Sequence, residues 1–223
     1  MNNVKSILTL TALTVALALG SSPMVLAADD PADSGFLPDY SKLKDDPDYP
    51  GSKKWVAAVK FGKYTAIIID PVVTHLSPGL IKDGAKPDAA LLNQVTDYLR
   101  QALIREFGAK KSMHVVDKPA ENAVRYRAAI TGVSASSSMG GPAGFLPAVL
   151  ILRTATGAND KKAHIHMESI YTDSVTGEVV AEVLQGATGD SVSGDTLTLD
   201  NVKGGLDKWA KKAADVFVAA RGK

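Results

Sequence analysis

The chain contains no cysteine. That absence excludes disulfides, thiol nucleophiles, cysteine-based metal sites and lipid attachment through a cysteine thiol. Excess charge is missing as well. With 25 basic residues against 24 acidic ones, and Lys5 alone supplying the difference, nothing draws the chain non-specifically to nucleic acid or anionic lipid. Beyond the first 27 residues no apolar run reaches the roughly 18–20 residues that cross a bilayer. No glycine loop ends in Gly-Lys-Ser/Thr, and the hydroxyl-rich stretch from Ser134 to Gly141 holds no Gly-x-Ser-x-Gly elbow. Asp190, Asp195 and Asp200 match no calcium-binding repeat. Phosphoryl-transfer loops, serine-hydrolase elbows and thiol enzymes are therefore not indicated.

What is present begins with residues 1–27. Lys5 precedes an apolar run from Ile7 to Leu19, and Val25-Leu26-Ala27 places small residues where a signal peptidase cleaves. The expectation is a secretory signal removed after Ala27 and a periplasmic or secreted protein. Ala18-Leu19-Gly20-Ser21 has the shape of a lipoprotein signal with serine where the acceptor cysteine belongs. Lipidation is therefore not expected, because a serine hydroxyl is a far weaker nucleophile at neutral pH.

Residues 28–50 form an acidic, proline-rich arm around Gly35-Phe36-Leu37-Pro38-Asp39-Tyr40-Ser41-Lys42-Leu43. Neither helical nor strand periodicity runs through it. Phe36, Leu37, Tyr40 and Leu43 are side chains that gain on the order of 1.5–3 kcal/mol each when buried. Two destinations are open to them: the chain's own domain, or a partner.

The rest, residues 51–223, is expected to be a single α+β domain. Tyr64 to Val73 is a β-branched run broken by Pro71. Pro87 and Asp88 then open a helix whose stripe is Leu91, Leu92, Val95, Leu99, Ala102 and Leu103, with Gly108 as terminator. Met113 to Asp117 completes a strand–helix–strand unit, which favours parallel strands. Val124, Tyr126, Ala128 and Ile130 alternate with more polar positions, as a half-buried strand does. Ala163 to Thr172 and Glu178 to Leu184 flank a turn with Gly177, a hairpin in a β-meander. Leu206, Trp209, Ala210, Ala213, Val216, Phe217 and Ala220 give a C-terminal helix one apolar face. A mixed sheet with both helices packed on one face follows. Ser134 to Gly144 and Gly186 to Asp195 look like loops.

In this order the motifs GFLPDYSKL, IIIDPV, VVD, AAIT, TDSVTGE and the late KWA helix resemble the bacterial envelope family called domain of unknown function 3313, from about Gly35 to Arg221. The resemblance implies an exported, lipoprotein-like protein and carries no catalytic residue. Ser21 departs from the lipoprotein pattern. The strand–helix–strand unit with its meander is also similar to small envelope assembly domains, an analogy of fold alone.

The metal alternative rests on His164 and His166, which share a strand face, with His75, His114 or Glu168 as third ligand. A polar sheet face is the simpler account of the pair. Phe145 to Leu152 is almost wholly apolar: either a covered strand, or a patch for self-association, a partner or a bilayer surface. The leading expectation is a non-enzymatic binding or assembly factor acting through Phe36, Leu37, Tyr40 and Leu43, or through Phe145 and Leu146. Its partner would be another envelope protein or a second copy of the chain. The competing classes are a metal-dependent enzyme using His164 and His166, and a small-molecule or glycan binder with its site in a sheet groove. No cofactor is expected, no residue is assigned as catalytic or metal-binding, and no transmembrane segment is expected after the signal.

Overall fold

In a computed structural model, residues 33–49, 51–76, 88–136, 161–192 and 197–222 are described. The strands are β1 (Lys44–Asp45), β2 (Lys53–Val56), β3 (Ala66–Ile69), β4 (Val73–Thr74), β5 (His114–Val115), β6 (Ala123–Ser136), β7 (Lys161–Asp173) and β8 (Val179–Val192). The helices are α1 (Ala89–Gly108) and α2 (Leu199–Ala220). The strands form one mixed sheet in the order β1-β2-β8-β7-β6-β3-β5, with β4 also on β6.

The local reasons are legible. All four residues of β3 are buried, because β5 and β6 pair with it in parallel on its two edges. Pro71 closes the strand. Asp88 caps α1, its Oδ1 accepting from the amides of Ala90 at 2.9 Å and Leu91 at 3.1 Å. The whole expected α1 stripe is buried, and Phe107 joins it. β6, β7 and β8 form an antiparallel meander of long strands. Gly177, at φ 75°, makes the β7–β8 turn, and Asp173 Oδ1 accepts there from the amides of Val175 and Thr176.

Two readings are corrected. Gly186 to Val192 continues β8 and Ser134 to Ser136 continues β6, where loops were expected. Pairing with β7 supplies the backbone hydrogen bonds that a glycine-rich sequence does not favour on its own.

The sheet has two covered faces. Against one lie α1 and α2, closing a continuous apolar core in which Tyr171 stacks on Phe217 at 5.4 Å and Tyr126 lies 4.7 Å from Tyr171. On the other face a small separate cluster gathers Leu37, Ile170 and Leu184, with Phe36, Tyr40, Leu43 and Val179 packed against it. The arm thus docks on its own sheet. Its first strand, β1, pairs with β2.

Candidate functional site

Three features carry polar chemistry, and they differ in what they leave open. The first is the arm's attachment. The Tyr40 hydroxyl donates to Glu168 Oε2 at 2.5 Å and accepts from the amides of Gly35 at 2.9 Å and Leu37 at 3.2 Å. The Ser34 amide reaches Glu168 Oε1 at 3.4 Å. Asp39 caps the single 3-10 turn of Tyr40–Lys42 by accepting from Ser41 N. Glu168 is fully buried, and that burial raises its pKa, with Tyr40 and Ser34 acting in the opposite sense. Tyr40 is pushed up to about 12 by burial and by its bond to Glu168. Nearby on β8, Glu182 is 1% exposed, and neither carboxylate oxygen has a hydrogen-bond partner among the described residues. Burial raises its pKa too.

The second feature is the turn after β7. Asp173 Oδ2 accepts from Lys63 Nζ at 2.9 Å and from the Tyr64 hydroxyl at 3.0 Å. Lys63 first of all, then the turn amides, hold its carboxyl well below the usual range. Every acceptor there is engaged, so this polar motif is structural.

Among the described residues the histidines do not assemble. His75 packs against the Phe36 ring at 5.8 Å, and His114 lies on edge strand β5. His166 faces Gly132 and Gly186 in register, the side chain of His164 lies outside the described residues, and Glu168 belongs to the arm's attachment. Among the described residues no group of three His, Asp or Glu side chains is arranged to hold a metal ion. Phe145 and Leu146 also lie outside the described residues.

The third feature is open. Between α2 and the β8–β2 edge of the sheet lies a cleft of about 90 Å³. It exists because Ala181 and Ala213 are small where larger side chains would close the layer, and because β2 is only four residues long. Val56 and Val216 stand at its lip, 48% and 40% exposed. The α2 stripe therefore overhangs the sheet here, whereas Leu206, Trp209, Ala210 and Phe217 on the same helix are buried.

The cleft is polarised along its length. Register sets Lys54 beside Val183 and Val56 beside Ala181, while α2 runs from Lys212 to Ala220. Phe61, against Phe217 at 6.0 Å, marks the apolar end, and Lys212, Lys54, Asp46 and Tyr49 mark the polar one. Lys54 is paired with Asp46 at 2.8 Å. Lys212 makes no ion pair among the described residues; its ammonium lies 3.2 Å from the Tyr49 ring centroid. Burial lowers the Lys212 pKa, with Asp46 acting in the opposite sense. A half-buried ammonium without a carboxylate is a place that favours an anion. Nothing periodic in the sequence signals this site.

The family model described as Protein of unknown function (DUF3313) matches residues 32–213. The chain belongs to the DUF3313 family. No curated protein matches this DUF3313 chain. Among solved structures it is similar to a PelC dodecamer from Paraburkholderia phytofirmans, at 12% identity and TM-score 0.37, covering 72% of this chain and 96% of that one. It is similar to protein XCC0632 from Xanthomonas campestris, at 11% identity and TM-score 0.44, over 70% and 85% of the two chains. A minor lipoprotein from Acinetobacter baumannii gives 11% identity and TM-score 0.37, over 71% and 95%. None shares enough sequence with this DUF3313 member to carry an activity across. No described helix is long and apolar enough to cross a membrane.

Proposed function

We propose that this DUF3313 protein is a non-enzymatic binding protein of the cell envelope, exported through residues 1–27 and released after Ala27 without lipid. The observation that supports the reading is the polarised cleft between α2 and the β8–β2 edge. It combines an apolar floor with a few convergent polar groups, the usual make-up of a ligand site. The arm residues Phe36, Leu37, Tyr40 and Leu43 are engaged with their own sheet. Binding is therefore assigned to the cleft ahead of the arm.

Native mass spectrometry of protein released from the periplasm by osmotic shock tests both halves of this. The expected species is a chain starting at Ala28 that carries a non-covalent adduct, which Val216→Trp removes by filling the mouth. A chain found only in the membrane pellet contradicts the location. An adduct indifferent to Val216→Trp contradicts the site.

A further inference from the structure

We infer that the cleft binds a single-chain amphiphile with one negative charge, a free fatty acid, with its carboxylate on Lys212 and its chain running toward Phe61. This deepens the binding reading above and rests on it. Four observations carry the assignment.

First, the two ends of the cleft differ in chemistry and lie along one line, as head and tail do in an amphiphile. α2 returns antiparallel to β8, since Val192 at the end of β8 and Leu197 just before α2 share the core, and Gly62 meets the Arg221 carbonyl at the helix's far end. Lys212 therefore sits nearer Val183 and Gln185, and Ala220 nearer Ala181.

Second, the polar end holds an ammonium, Lys212, that makes no ion pair among the described residues. Asp46 is buried and held by Lys54, which Asp48 also approaches at 3.8 Å. Lys212 has an aromatic face beneath it, and Asp46 acts on it only from beyond ion-pair distance. An ammonium has three donors, and a ring on one side leaves the others for a head group. A single ammonium beside two carboxylates suits a monoanion better than a dianionic phosphate.

Third, the buried polar side chains of the floor, Ser169 and Gln185, lie toward the same end as Lys212, while Phe61, Tyr171, Ala181 and Phe217 line the other. A chain laid there runs past the rings of Tyr171, Phe217 and Phe61 along its tail. Fourth, the enclosed part is small and the cleft is open. A chain longer than the floor continues over Val56 and Val216, and this gives two large exposed hydrophobics a cover.

The test is a fluorescence titration of the mature full chain with cis-parinaric acid, followed by displacement with laurate, dodecanol and dodecyltrimethylammonium. Laurate is expected to displace the probe at about tenfold lower concentration than dodecanol, the worth of a charge-assisted hydrogen bond. The cationic amphiphile is expected to be weakest. Lys212→Met should erase the preference for laurate while leaving dodecanol unchanged, Lys212→Arg should keep it, and Val216→Trp should abolish displacement by either. Lys208→Met, on the same helix outside the cleft, should change nothing.

Equal displacement by laurate and dodecanol in the wild type overturns the head-group assignment but leaves the cleft a binding site. Retained preference in Lys212→Met does the same. A native adduct that laurate cannot displace overturns the fatty acid and leaves the broader binding reading standing. Lys212-dependent flotation with phosphatidylglycerol vesicles, without any laurate binding, assigns the surface to a bilayer and overturns the proposal.

Discussion

The two faces of the sheet are stabilised by different physics. The helix face buries a continuous apolar core in which Leu99, Leu103, Phe107, Leu206 and Trp209 are nearly inaccessible to water. The arm face carries a small cluster of Leu37, Ile170 and Leu184 and, beside it, the buried carboxyls of Glu168 and Glu182. One face is held by area removed from water and depends little on pH. The other adds a polar anchor to its small apolar cluster: the Tyr40 hydroxyl and the Ser34 amide donate to the buried Glu168, and the amides of Gly35 and Leu37 donate to that hydroxyl. The difference teaches that this arm is a latch on the domain, stabilised by a polar contact that can be weakened without touching the core.

The sharpest way to break the comparison is to strike the helix face first. Trp209→Ala should cost about 3–5 kcal/mol, the usual penalty for emptying a buried aromatic site. Its indole N–H has no partner among the described residues, so Trp209→Phe should cost clearly less. Denaturant titration of both variants measures the gap. Equal losses would mean that the indole N–H matters more than the volume.

On the arm face, Tyr40→Phe removes the donor to Glu168 and the acceptor for two amides. A loss of about 1–3 kcal/mol is expected, the range for stranding a buried polar group. A double-mutant cycle with Glu168→Gln should show strong coupling between the pair. Additive losses would show that the hydroxyl and the carboxyl act independently.

Protons should separate the regions in sign. Glu168 and Glu182 have raised pKa values, so their contribution to stability is fully present below the ordinary 4.5 and lost as pH rises through the raised values. Asp173, held low by Lys63, contributes above its ordinary 3.8, and that contribution is lost as pH falls through its depressed value. Glu182→Gln should therefore melt with the wild type near pH 4 and above it near pH 7.5. A constant offset at both pH values would show that Glu182 is not paying a burial cost in its charged form.

The smallest effect is expected at the turn joining β7 and β8. Gly177 is at φ 75° with nothing within 4 Å of an added Cβ, so Gly177→Ala strains only the backbone. About 1 kcal/mol should be lost. A larger loss in the melting curve would point to a contact made by the turn.

How much of this was legible follows from where periodic signals exist. α1 was, because Pro87, Asp88 and six apolar residues agree on one helix. β6 was, because Val124, Tyr126, Ala128 and Ile130 alternate. The arm's nine residues announced burial but not its place. Their target carries Glu168 and Glu182 at positions that alternate with core residues, and carboxylates at such positions read as facing solvent. The far half of β8 was hidden because Gly186 and Asp190 disfavour strands in isolation, and only pairing with β7 makes one. The cleft was invisible for a different reason: it arises where Ala181 and Ala213 leave space and the short strand β2 stops, and no pattern encodes a gap.

The latch itself is tested most directly by hydrogen exchange on the full chain at pH 7, comparing wild type with Tyr40→Phe. The amides of Ser34, Gly35 and Leu37 should be protected in the wild type and exchange freely in the variant, while Leu91 to Phe107 keeps its protection. Unprotected arm amides in the wild type, or loss of protection in both regions together, would contradict the account.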